Sequence, residues 1–91
     1  MVFRFKQGVK VSYKRQGYIY FTSLRYDELD EDKQRKIRKL CRECGGVHSK
    51  ALFKAVTTET PDDLICDTHY IGKSTLYRMK REYYERFPSE L

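Results

Sequence analysis

The chain has 91 residues, 35% of them charged and 40% hydrophobic, with a formal net charge of +6 and a pI near 9.3. These values fit one globular domain over residues 1–91 and exclude a disordered chain. No apolar run approaches the ~18–20 residues needed to span a membrane, so no membrane partner is expected.

The opening Met1-Val2-Phe3-Arg4-Phe5-Lys6 alternates charged and apolar residues, unlike a signal peptide, and a cytoplasmic protein is expected. Val2, Phe3 and Phe5, then Val9, Val11 and Tyr13, then Tyr18, Ile19, Tyr20 and Phe21 are short β-prone runs. Val9, Val11 and Tyr13 alternate with Lys10, Ser12 and Lys14, the period of a half-buried strand. This pattern predicts a β-hairpin over 9–22, with a further strand at 2–6. Ser23 is placed to cap a short turn through Leu24–Leu29.

Asp30-Glu31-Asp32 starts a helix over 30–45, with acids at the positive end of its dipole. Its apolar stripe is Ile37, Leu40, Cys41 and Cys44, and Gly45-Gly46 stops it. Ser49 is placed to cap a helix over 49–58 with Leu52, Phe53 and Val56 on its apolar face. Thr60-Pro61-Asp62-Asp63 starts the next, over 61–69, with Thr60 as cap and Pro61 at the first helical position. The last helix covers 74–87, with Leu76, Met79, Tyr83 and Phe87 on one face, and Pro88 ends it. The predicted fold is α+β and mainly α: an N-terminal β-hairpin packed on helices, the last three forming a tri-helical helix-turn-helix.

Basic residues gather at both ends of the chain. Residues 1–26 carry Arg4, Lys6, Lys10, Lys14, Arg15 and Arg25 and no acid, and Lys73 to Arg86 is again rich in bases. The stretch between them holds Glu59, Asp62, Asp63 and Asp67. A phosphate backbone is the commonest partner of such basic surfaces, although many are simply solvated.

In a helix-turn-helix, two helices cross steeply and meet over a small apolar patch. Ile65, Ile71, Leu76 and Met79 stand where that patch needs them, and Cys66 supplies a small residue at the contact. The turn lacks the glycine often found before its apolar residue; Tyr70 is there, and Gly72 follows. In this register Ser74 caps the reading helix, and its hydroxyl, the first helical N–H groups and Thr75 hold a phosphate. Lys73, Ser74, Tyr77, Arg78 and Arg81 face outward, with Arg78 and Arg81 suited to guanine O6 and N7. Lys80 and Arg86 are expected to meet phosphate, as are Lys10, Lys14 and Arg15 from the N-terminal region.

Ile71-Gly72-Lys73-Ser74-Thr75-Leu76-Tyr77-Arg78 resembles the second half of the helix-turn-helix in resolvase-type and TetR-type DNA-binding domains. The chain as a whole, with Gln16-Gly17-Tyr18-Ile19-Tyr20-Phe21-Thr22-Ser23, is similar to small helix-turn-helix proteins of Gram-positive phages and mobile elements. That resemblance implies a transcription regulator bound to double-stranded DNA. A module this small makes few base contacts, so a homodimer or larger assembly is expected.

Other chemistry competes for the same residues. Gly72-Lys73-Ser74-Thr75 matches the end of a P-loop, but position 67 is Asp where that motif requires glycine. Cys41-x-x-Cys44 and Cys66-x-x-His69 have the spacing of a structural zinc site; the other reading makes each cysteine a small buried apolar residue. With no export signal and three cysteines, a disulfide framework is not expected. No arrangement of the two histidines suggests an enzyme. The second functional expectation is a protein-binding factor that grips a host protein such as polymerase through the aromatic β-region.

Overall fold

The computed structural model describes residues 10–89 and 91, and among them there is no strand. Five α-helices follow one another: α1 (Tyr13–Leu24), α2 (Glu31–Gly45), α3 (Ser49–Thr57), α4 (Asp62–His69) and α5 (Lys73–Arg86). Short 3-10 turns, Tyr26–Glu28 and Gly46–His48, lead into α2 and α3. The fold is all-α.

The predicted hairpin over 9–22 is therefore wrong, because its second half is the interior of α1. Ser12 caps that helix, its hydroxyl accepting from the Arg15 N–H at 3.2 Å. Gln16, Ile19 and Ser23, at helical spacing, turn into the molecule. Tyr18-Ile19-Tyr20-Phe21 is β-prone but too short for periodicity to separate strand from buried helix, and burial of Ile19 decides for helix. The expected strand at 2–6 lies outside the described residues. Ser23 does not cap a turn; it is buried, and its hydroxyl lies 2.7 Å from the Tyr83 hydroxyl.

The α2 start is as its acids predict: Asp30 Oδ1 accepts from the Lys33 N–H at 2.9 Å. Gly46 ends it at φ 55°, a left-handed angle that suits glycine. Two expected caps are displaced by one residue. His48, not Ser49, occupies the cap position of α3, since the preceding 3-10 turn runs straight into the helix. Pro61, not Thr60, precedes α4, and its ψ of 145° keeps it outside the helix. Thr60 instead pairs its hydroxyl with Thr58 at 2.8 Å.

The core takes a fully enclosed side chain from every helix: Ile19, Ile37, Leu52, Ile65, Leu76 and Tyr83. Burying each stabilises the fold by roughly 1.5–3 kcal/mol. The short α3 lies at the centre and touches the other four helices. It thereby fixes α4 and α5 relative to the rest of the chain. No described helix is long and apolar enough to cross a membrane.

Candidate nucleic-acid interface

Helices α4 and α5 are separated by Tyr70, Ile71 and Gly72 alone. The end of α4 closes by hydrogen bonds from the Tyr70 and Ile71 N–H groups to the Cys66 carbonyl. A bond from two residues past the helix end back to its last turn requires a left-handed residue in between. Tyr70 takes that conformation, φ 56° and ψ 48°, with its side chain almost wholly in solvent. The turn that lacks the usual glycine thus forms with a tyrosine in the glycine position. Ile71 packs against the core, and Gly72 sits at the cap of α5.

Because Gly72 is the cap, α5 starts at Lys73, and no side chain caps it. Ser74 is therefore not the cap it was expected to be; it lies exposed in the first turn, with Thr75 half-buried beside it. Leu76, Met79, Tyr83 and Tyr84 face the core. Ser74, Tyr77, Arg78 and Arg81 are exposed and recur at the three- and four-residue spacing of one helix face. No described carboxylate pairs with Arg78 or Arg81, so both guanidinium groups are available to an external acceptor.

The other expected contacts are partly committed inside the molecule. Lys73 pairs with Asp63 of α4, whose hydrogen bond and negative charge hold its ammonium above the usual lysine range. Both partners are well exposed, so the pair is weak and a phosphate can replace the carboxylate. Lys80 is different. Its amine reaches Asp62 Oδ1 at 3.1 Å and Oδ2 at 3.3 Å, with only 13% of the side chain exposed, and it ties the start of α4 to the middle of α5. Arg86 bonds Glu43 of α2 at 3.0 Å.

In the N-terminal region, Lys10 and Lys14 are exposed, and the Lys10 N–H donates to Glu85 Oε2 at 3.1 Å. Arg15 is engaged internally: its guanidinium donates to the carbonyls of Phe87 and Pro88 at 3.4 and 3.0 Å and lies over the Tyr18 and Phe87 rings. It fastens α1 to the segment after α5. Of the aromatic residues assigned to a sheet, Tyr13, Tyr18, Tyr20 and Phe21 are on α1 instead, and Phe3 and Phe5 lie outside the described residues. Tyr18 donates its hydroxyl to the Leu91 carbonyl, and Tyr20 packs against the core.

Cys41, Cys44 and Cys66 are free and buried. Among the described residues no three His, Cys, Asp or Glu side chains are grouped so as to hold a metal ion, so Cys41, Cys44, Cys66 and His69 do not form the tetrahedral set their spacing allowed. Burial pushes the Cys41 thiol up to about 12 and raises Cys44 as well. Both are protonated thiols at neutral pH, on the apolar face of α2.

Sequence reasoning read Asp62 and Asp63 only as helix-start charge and missed that they face Lys80 and Lys73. The signal was present as a pair of acids entering α4 and a pair of lysines on α5. Only the turn of the chain through Tyr70, Ile71 and Gly72 brings them together. The chain matches no protein-family model, and no curated protein or solved structure is significantly similar to it.

Proposed function

We propose that the protein binds duplex DNA sequence-specifically, as a small transcription regulator of the phage or mobile-element kind, acting in the cytoplasm. Helix α5 enters the major groove. Arg78 and Arg81 read base edges, Ser74 and Tyr77 contact the groove walls, and Lys73 exchanges Asp63 for a phosphate. Lys10 and Lys14, both exposed, meet the backbone as well in this reading, whereas Arg15 and Lys80 hold the fold. The protein works as a homodimer or in a larger assembly, since one reading helix contacts few base pairs.

The observation that carries this reading is the division of α5. Leu76, Met79 and Tyr83 are buried, while Arg78 and Arg81 project without an ion-pair partner among the described residues, directly after a three-residue turn. Guanidinium groups offer paired donors that suit guanine O6 and N7. The acids of α4 oppose non-specific attraction to phosphate, so affinity must come chiefly from the outward face of α5.

Selection of bound sequences from random duplexes tests the proposal. A defined site should emerge, with affinity that falls steeply with salt. Arg78→Ala or Arg81→Ala should relax base choice at one position by about 1–3 kcal/mol. Failure to enrich any sequence, or a selected site bound equally well by both alanine variants, overturns it.

A further inference from the structure

A cleft of about 290 Å³ opens between α2 and α3, and none of the residues assigned to DNA lines it. It is lined by Arg38, Cys41, Arg42, Ser49, Lys50 and Phe53. Its size is at the lower end of the ~300–1,000 Å³ typical of small-molecule sites.

The lining is divided chemically. Phe53 and the protonated thiol of Cys41 give an apolar floor. The Phe53 ring is held edge-on by Tyr26, with centroids 4.9 Å apart. The same Tyr26 accepts from Arg38 Nη1 at 2.6 Å, and Arg38 Nη2 reaches Glu31 at 3.2 Å. The aromatic wall and the adjacent guanidinium are therefore fixed together. Arg42 and Lys50 complete the rim; among the described residues no carboxylate lines the cleft and none pairs with either of them. Lys50 also stands in the first turn of α3, whose only charge there is positive. A cation at that end of a helix is disfavoured by the dipole, and an anion beside it removes the penalty.

We propose that this cleft binds a small organic anion with a flat apolar body. Its phosphate, sulfonate or carboxylate group meets Arg42 and Lys50, with the Ser49 hydroxyl within the same lining, and its ring lies on Phe53. Charge complementarity selects the anion, and the apolar floor rejects inorganic phosphate as a sufficient ligand. The inference does not rest on the DNA-reading assignment of α5.

The test is fluorescence titration with 8-anilinonaphthalene-1-sulfonate, followed by displacement with adenosine monophosphate and with inorganic phosphate. Binding of one dye per chain is expected, displaced by the nucleotide at concentrations where inorganic phosphate has no effect. Arg42→Glu and Lys50→Glu should each weaken dye binding about tenfold or more. Both residues are exposed, so the variants should keep the helical circular dichroism of the parent; if a reversal unfolds the chain, Lys50→Gln and Arg42→Gln serve, with a smaller loss expected. Arg78→Ala and Arg81→Ala should leave dye binding unchanged, and the cleft variants should leave the selected DNA bases unchanged, so the two readings fail separately. Absence of saturable binding, or binding unaffected in folded cleft variants, overturns the proposal.

Discussion

Tyr70 carries a conformation that its side chain does not favour. A left-handed backbone costs a non-glycine residue about 1–2 kcal/mol, and the exposed Tyr70 ring recovers little of that by packing. Tyr70→Gly should therefore raise stability by about 0.5–1 kcal/mol, less than the full strain because glycine also loosens the unfolded chain. Urea denaturation reads this as a higher midpoint at unchanged slope; a lower midpoint would mean that the ring makes a contact worth more than the strain. Gly46 has the same sign of φ but already the residue that suits it. The DNA-reading proposal has a residue-scale consequence too: Lys73 and Lys80 each face a carboxylate of α4, whereas no described carboxylate pairs with Arg78 or Arg81.

Helix α5 is bound into the molecule by a buried stripe and by polar ties. For α5 the ties include Tyr83 to Ser23, Lys80 to Asp62 and Arg86 to Glu43. Two ion pairs join α5 to α4, and the Lys80–Asp62 pair, unlike the exposed Lys73–Asp63 pair, is mostly shielded from water. Lys80→Met should cost about 1 kcal/mol of stability, since Asp62 loses its partner while remaining part-exposed. Base preferences in a duplex selection should be unchanged once folded protein is compared with folded protein. A shift in preferred bases on Lys80→Met would place that lysine in the interface and contradict its structural role. Helix α1 is tied by Gln16 to the Val11 carbonyl at 3.0 Å and by Arg15 to the chain after α5. The Arg15 tie is long-range, and together with the buried Ile19 it holds this β-prone tract as helix.

At the scale of the whole molecule, the core holds ionisable groups in their neutral forms. Burial raises Cys41 to about 12 from an ordinary 9.0, and raises Cys44, Tyr83 and Tyr84 above their ordinary values. The unfolded chain releases these protons first, so it binds fewer protons than the folded chain at alkaline pH. Stability is then complete below the unfolded values and is lost progressively as pH rises from them towards the folded values. Urea midpoints should be flat from neutrality to about pH 8 and fall above about pH 9, the cysteines acting first and the tyrosines above about pH 10. Each group contributes up to about 1.4 kcal/mol per pH unit. A midpoint unchanged at pH 10.5 would show that these side chains are wetter than their burial implies.

Helices α2 to α5 were legible because their signals are local: the Asp30 cap, the Ile37/Leu40/Cys41/Cys44 stripe, the acids after Pro61 and the Leu76/Met79/Tyr83 face all lie within a few turns of chain. Their boundaries came within about one residue, since caps such as Ser49 and Thr60 compete with neighbours that only geometry ranks. Helix α1 was not legible, because its four-residue apolar-aromatic run fits either period and its choice depends on Ile19 and Ser23 meeting residues from α5 and the core. The same reason hid the Lys80–Asp62 tie and the α2–α3 cleft. The sequence by itself determined most of the helices and the two faces of α5, through periodicity and capping along the chain. Only the tertiary structure decided which cations remain free, where the cysteines lie and what α1 is, because each depends on which distant residues share a low-dielectric contact.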